Sequence, residues 1–231
     1  MAGDQGVTYE FQDYPDREML FIDLAGQLAG DLRAALSRND RVAFAVPGGT
    51  SPGPVFDDLC ATDLAWDRVD VMLTDERWVP EDSDRSNTRL LRDRLLTDKA
   101  AKAQLLPMYM PCQEPEDRLE ELTAIIEAEL PLSVVLLGMG ADMHTASIFP
   151  GADQLDAALR PDAPVLVPMR APGAPEPRVT LSARVLNDAI RKHILIMGAD
   201  KRAALENAKG KTVQDAPINA VLDGAIVHWA E

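Results

Sequence analysis

The sequence predicts an α/β protein built on an open, mostly parallel β-sheet with helices on both faces. Two observations indicate this fold class. Short apolar runs alternate along the chain with longer segments in which apolar residues recur every three or four positions. Uninterrupted apolar runs are typical of strands buried on both faces, as the strands of a helix-covered parallel sheet are.

The individual elements follow from local patterns. A leucine at every fourth position from Leu20 to Leu36 marks one face of a long helix. Thr50 or Ser51 is expected to cap the second helix, and Ser86 or Asn87 the third. The predicted helices cover residues 16–38, 51–60, 86–96, 114–130 and 200–209. The predicted strands cover residues 41–46, 69–73, 132–137, 165–169, 178–181, 193–197 and 225–229.

Composition limits the classes of partner. The chain is 46% hydrophobic and 26% charged, which is ordinary for a globular protein. Its formal net charge of −15 argues against a nucleic-acid or anionic membrane partner, although a local basic pocket could still hold a small anion. No repeat, low-complexity segment or linker divides the chain, so residues 1–231 are expected to form one domain.

Neither a leader, a membrane span nor a metal site is expected. The N-terminus has no basic segment followed by an apolar one, and no apolar run approaches about 18 residues, so the chain is expected to be cytoplasmic. Cys60 and Cys112 lack the paired spacing of zinc ligands and are expected to be free thiols.

The segment at 137–151, Leu-Gly-Met-Gly-Ala-Asp-Met-His-Thr-Ala-Ser-Ile-Phe-Pro-Gly, carries the clearest chemistry. It follows a predicted buried strand and holds Asp142 two positions before His144. Histidine can accept a proton near neutral pH, and open α/β sheets hold their ligands at the carboxyl ends of strands. The other two histidines, His193 and His228, lie in strand-like runs and are expected to be structural.

Three further segments could bind an anion. Gly48, Gly49 and Thr50 follow a strand and precede a helix, where free backbone N–H groups favour phosphate; ordinary strand-to-helix turns have the same pattern. The segment Asp75-Glu-Arg77 follows the next strand and could hold a polar substrate or be solvated. Arg178 and Lys201 could bind an anion as well, although either side chain alone is more often a surface cation.

Taken together, these segments resemble the 6-phosphogluconolactonase family. The resemblance rests on Gly-Gly-Thr-Ser-Pro at 48–52, Thr-Asp-Glu-Arg-Trp-Val at 74–79 with Asp84, Ser86 and Asn87, the 137–151 segment, Pro-Arg-Val-Thr-Leu at 177–181 and Gly-Ala-Asp-Lys at 198–201. The His-Thr-Ala-Ser-x-Phe-Pro-Gly segment together with Asp-Glu-Arg is specific, whereas the glycine loop alone is not.

The resemblance implies a modified Rossmann-like sheet, shared with glucosamine-6-phosphate deaminases and ribose-5-phosphate isomerases. It implies hydrolysis of 6-phosphoglucono-δ-lactone, a phosphosugar lactone, in the oxidative pentose phosphate pathway without metal or organic cofactor. His144 would be the base that activates water, and Asp142 would support it. The ligand and phosphate would be surrounded by Gly48, Gly49, Thr50, Asp75, Arg77, Arg178 and Lys201. A monomer or a small homo-oligomer is expected.

One position departs from the family pattern, because Met143 stands where the family usually has glycine. A positive φ there would strain methionine by about 1–3 kcal/mol. Two other functions are weighed. An amino-sugar-phosphate deaminase or isomerase is disfavoured because Ser147, Phe149 and Pro150 stand where that group would have Asn-Glu-Pro after the histidine. A non-catalytic sugar-phosphate sensor is disfavoured because the chain shows no DNA-binding segment.

Overall fold

The computed structural model describes residues 7–231, and its centre is a parallel β-sheet. Within that range the strands are β1 (Glu10–Asp13), β2 (Val42–Val46), β3 (Val69–Leu73), β4 (Asp75–Arg77), β5 (Gln104–Leu105), β6 (Val134–Gly138), β7 (Leu166–Met169), β8 (Arg178–Leu181), β9 (Arg191–Met197) and β10 (Ile226–Ala230). The α-helices are α1 (Arg17–Leu36), α2 (Gly53–Cys60), α3 (Asn87–Arg94), α4 (Leu119–Glu127), α5 (Leu155–Leu159), α6 (Ala183–Asn187) and α7 (Ala199–Ala208).

Seven strands form the large sheet, in the order β1-β10-β9-β6-β2-β3-β5, and all neighbours run parallel. Every residue of β2 and β3 is buried, which means that both faces of the sheet are covered. The predicted fold class is therefore confirmed. No helix within residues 7–231 combines the length and apolar character needed to cross a membrane.

The position of the crevice follows from strand order. From β2 the chain builds outwards through β3 and β5 on one side, whereas β6, β9, β10 and β1 lie on the other. Because β2 and β6 are neighbours, with Phe44 opposite Val134, the two directions of winding diverge between them. Loops after two such strands separate and leave a crevice at their carboxyl ends.

A second sheet of three antiparallel strands, β4-β8-β7, corrects the predicted architecture. The strands predicted at 165–169 and 178–181 exist, but they leave the large sheet. Residues Asp75–Arg77, predicted to be a charged loop, form β4 because they pair with β8. The change of sheet occurs at Thr74, whose N–H donates to Val46 in the large sheet and whose carbonyl accepts from Leu181.

Helix starts were predicted with mixed success. Ser86 caps α3 as predicted, since its hydroxyl accepts from the N–H of Arg89 at 3.2 Å. The predicted cap at Thr50 or Ser51 is wrong, because α2 begins at Gly53 after Pro52 without a side-chain cap. Both predicted capping residues instead line the crevice.

His193 and His228 are fully buried on adjacent strands of the large sheet, in agreement with a structural role. His193 Nδ1 lies 2.9 Å from His228 Nε2, and His228 Nδ1 lies 2.9 Å from the hydroxyl of Tyr14. Asp31 contacts the far nitrogen of His193 at 2.9 Å. Burial, followed by the neighbouring His193, lowers the pKa of His228 to about 3.

Candidate active site

A cavity of about 280 Å³ occupies the crevice between the loops that follow β2 and β6. Eight of the nine predicted site residues line it, namely Gly48, Gly49, Thr50, Asp75, Arg77, His144, Arg178 and Lys201. The ninth, Asp142, contacts His144 instead. The structure therefore brings together residues that lie up to 153 positions apart in the sequence, between Gly48 and Lys201.

Asp142 and His144 form a hydrogen-bonded pair. Nδ1 of His144 donates to Oδ1 of Asp142 at 2.5 Å, and the same oxygen accepts from the backbone N–H of His144 at 3.2 Å. The hydrogen bond from the imidazole, opposed by partial burial, lowers the pKa of Asp142. A carboxylate at Nδ1 fixes the proton there and leaves Nε2 as an acceptor, which is what a general base requires.

The turn that carries this pair depends on two unusual backbone positions. Gly140 donates to the carbonyl of His144 at 3.0 Å, and a Cβ there would lie 2.2 Å from two ring atoms of His144. Met143 has φ +68°, so the backbone does adopt the left-handed conformation that favours glycine, at a cost of about 1–2 kcal/mol. Its carbonyl accepts from Ile218 at 3.0 Å, which ties the turn to the segment before β10.

Two arginines form the cationic wall of the cavity. Arg77 and Arg178 are directly opposite each other on β4 and β8. The Nε atom of each is buried, and neither has a hydrogen-bond partner among the described residues. Burial lowers the pKa of Arg178; the nearby Asp75 opposes this effect, and Arg77 adds to it. Paired guanidinium groups with unused buried donors suit an anion.

Asp75 lines the cavity, but protein donors occupy its oxygens. Ser147 Oγ donates to Oδ2 at 2.5 Å, and Thr74 Oγ1 donates to Oδ1 at 3.1 Å. Nη1 of Arg178 lies 3.9 Å from Oδ2. The arrangement suits a carboxylate that orients Arg178 and the turn at Ser147 more than one that receives a substrate.

Glu76 and Asn87 contribute to the site in ways that sequence reasoning missed. The fully buried carboxylate of Glu76 accepts from the N–H groups of Arg77, Asn87 and Thr88 and from two hydroxyls, at 2.7–3.1 Å. Burial raises the pKa of Glu76, and these bonds oppose the shift. A Cβ on Gly48 would lie 1.9 Å from Oδ1 of Asn87, so this close approach requires glycine. The helix-start signal at Ser86 was the available clue.

Lys201 reaches the cavity from the first turn of α7. Gly198, with φ +83°, redirects the chain between β9 and this helix. Partial burial lowers the pKa of Lys201. Within residues 7–231, no group of three or more His, Cys, Asp or Glu side chains is arranged to hold a metal ion.

Comparisons with known proteins identify the family of the chain. A family model described as "Glucosamine-6-phosphate isomerases/6-phosphogluconolactonase" matches residues 15–229. A 6-phosphogluconolactonase of Mesorhizobium japonicum is 41% identical over the full length of both chains. A crystal structure of a 6-phosphogluconolactonase from Shewanella baltica superimposes with a TM-score of 0.94 at 29% identity, covering 98% of this chain and 100% of that one. A monomeric glucosamine-6-phosphate deaminase shares the fold alone, at 14% identity and a TM-score of 0.73, over 95% of this chain and 96% of that one. The chain belongs to the glucosamine-6-phosphate isomerase/6-phosphogluconolactonase family.

Proposed function

We propose that the chain hydrolyses 6-phospho-D-glucono-1,5-lactone to 6-phospho-D-gluconate, a step of the oxidative pentose phosphate pathway. The observation that carries the proposal is the Asp142–His144 pair in a cavity whose wall holds two arginines with unused buried donors. The relatives named 6-phosphogluconolactonase support the same reaction.

The proposed chemistry needs one base and one water. Nε2 of His144 takes a proton from the water as its oxygen attacks C1 of the lactone, and the carbonyl oxygen becomes an oxyanion. When the oxyanion collapses, the bond between C1 and the ring oxygen breaks, and the proton held by His144 passes to that oxygen. The product is an open-chain acid, and one water has been consumed. Asp142 keeps the base in the required tautomer.

The substrate is held by local donors in this proposal. The loop at Gly48, Gly49 and Thr50 offers backbone N–H groups, and Arg77, Arg178 and Lys201 offer cationic donors, to the phosphate and the lactone. A net charge of −15 repels a dianion at long range, so capture depends on these donors. In the same proposal residues 1–231 act as one cytoplasmic catalytic domain, a monomer or a small homo-oligomer, with no nucleic-acid or membrane partner.

Deamination or isomerisation of an amino-sugar phosphate is the weaker candidate. In such chemistry a free carboxyl group beside the sugar would carry a proton between neighbouring carbons. Among the described residues that line the cavity, Asp75 is the one carboxylate, and Ser147 and Thr74 already donate to its oxygens. The fold that this chain shares with a deaminase therefore does not imply the deaminase reaction.

The test is hydrolysis of freshly prepared lactone by wild type and by His144→Asn, measured by a coupled assay with spontaneous hydrolysis as the blank. Removing a general base should lower turnover by about 10²–10⁴-fold while the variant stays folded. His193→Asn is the matched control, because that histidine lies outside the cavity. Turnover close to wild type in a folded His144→Asn variant would exclude His144 as the base.

A further inference from the structure

Phe149 lies against two groups of the site without lining the cavity itself. Its ring centre is 4.3 Å from that of His144, with 36° between the ring planes. Cζ of Arg178 lies 5.6 Å from the centre of the same ring. One aromatic side chain therefore contacts both the candidate base and a member of the cationic wall.

A tight turn brings Phe149 back to His144. Thr145 and Ile148 pair as an antiparallel bridge, and the N–H of Ile148 donates to the carbonyl of Thr145 at 3.0 Å. Ala146, inside the turn, has φ +48°. The chain reverses over these four residues, so the side chains that flank the turn meet. Phe149 is half-buried and packs against the hydrophobic core, which fixes its ring.

The contact matters because the charge of His144 changes during the proposed reaction. A hydrogen bond to Asp142 fixes Nδ1, but it leaves the ring plane free to tilt about that point. An aromatic ring whose centre lies 4.3 Å away, at 36° to the imidazole plane, limits that movement by contact. The electron-rich face of an aromatic ring also attracts a cation more than a neutral group. The contact therefore favours the imidazolium that forms when water is deprotonated.

We propose that Phe149 is a positioning residue for the base, one that holds the His144 ring in place and stabilises its protonated form. This inference rests on the proposed function for its kinetic consequences, although the contact itself does not depend on it.

The experiment compares Phe149→Leu with Phe149→Tyr, which keeps the ring. Other charged groups around His144 are Asp142 on its own turn, Asp75 and Arg77 on β4, Arg178 on β8 and Lys201 on α7, and neither substitution removes them. A cation–π contact at a partly exposed site corresponds to about a twofold to fivefold change in an equilibrium or rate. Phe149→Leu should lower kcat by about that factor and leave KM for the phosphorylated lactone nearly unchanged.

The pH dependence separates positioning from a merely structural role. In Phe149→Leu the acid limb of the kcat/KM profile should move to lower pH, because the protonated imidazole loses the contact with the ring. Phe149→Tyr should restore both kcat and the profile. A structural role alone would lower thermal stability in Phe149→Leu while leaving kcat per folded molecule and the profile as in wild type, and that result would overturn the proposal.

A substrate-free readout keeps this proposal distinct from the proposed function. The Cε1 proton of His144 can be followed by NMR as pH is varied, with no lactone present. A lower titration midpoint in Phe149→Leu, rescued in Phe149→Tyr, supports the contact even if wild type fails to hydrolyse the lactone. An unchanged midpoint overturns it even if wild type is active.

Discussion

The substitution Gly140→Ala tests whether the Asp142–His144 pair needs the space beside it. A Cβ on Gly140 would lie 2.2 Å from Cε1 and Nδ1 of His144 and 2.5 Å from Oδ1 of Asp142. Ordinary van der Waals contact for such a carbon begins near 3.4 Å. The imidazole and the carboxylate must therefore each move away from the added methyl group by roughly 1 Å. Gly140 does not have a positive φ, so the backbone itself accepts alanine.

A displacement of this size has a predictable cost. Misplacing a catalytic group by about 1 Å can lower a rate by about 10²-fold, because the near-attack geometry is lost. We expect Gly140→Ala to lower kcat on the phosphorylated lactone by about that factor. The hydrogen bond between Nδ1 and Asp142 should weaken as well, so the low-field NMR resonance expected of a proton shared between an imidazole and a carboxylate should disappear.

Gly138→Ala is the matched control. Gly138 lines the same cavity at the end of β6, but a Cβ there would meet nothing within 4 Å. The kcat and the low-field resonance of Gly138→Ala should resemble those of wild type, even if the added methyl group raises KM. Equal kcat in the two alanine variants, or an intact resonance in Gly140→Ala, would refute the steric argument.

Three further predictions concern stability. Met143→Gly should retain activity, whereas Met143→Val should lower the free energy of unfolding below that of wild type, because a β-branched residue is strained more than methionine at φ +68°; equal urea midpoints for Val and Met would contradict this. The lowered pKa of His228 stabilises the fold above pH 6.5 and loses that contribution as pH falls, by about 2 kcal/mol between pH 7 and 5. Urea titrations of His228→Gln should therefore show a shallower pH dependence than wild type, and parallel curves would exclude His228 as the cause. In Glu76→Gln the side-chain NH₂ group would point at buried N–H donors, so the free energy of unfolding should fall by about 2–3 kcal/mol. An unfolding free energy equal to that of wild type would mean that the hydrogen bonds of the carboxylate are not needed.

The parts of the fold that sequence reasoning predicted are those set by local pattern. The strands β2, β3 and β6 are uninterrupted apolar runs, and α1 has its leucines on one face. The strand β1 was missed because its four residues are half-exposed and mostly polar. The separate sheet of β4, β7 and β8 was also missed, since a strand's own sequence does not say which partner it pairs with.

The contacts of the candidate site also divide into local ones, which the sequence indicates, and long-range ones, which it does not. Asp142 and His144 are two residues apart, so their contact follows from one turn. The contact between Asp75 and Ser147 spans 72 positions, and the pairing of Arg77 with Arg178 spans 101. Neither contact has a local signal, and the family resemblance supplied the grouping that periodicity could not. The buried Glu76 had no signal either, because carboxylates are usually exposed.

Under the proposed function, the facing arginines of β4 and β8 bind the anionic ligand at a cost in stability. Like charges directly opposite each other on paired strands destabilise a sheet, and here the Nε atoms of both guanidinium groups are also buried without a partner among the described residues. Asp75, at 3.9 Å from Arg178, offsets part of this repulsion. A library screened for thermal stability alone would therefore favour neutral residues at 77 and 178. The most heat-resistant variants from such a screen would be the poorest at capturing a phosphorylated ligand, so selection of this protein has to score both properties together.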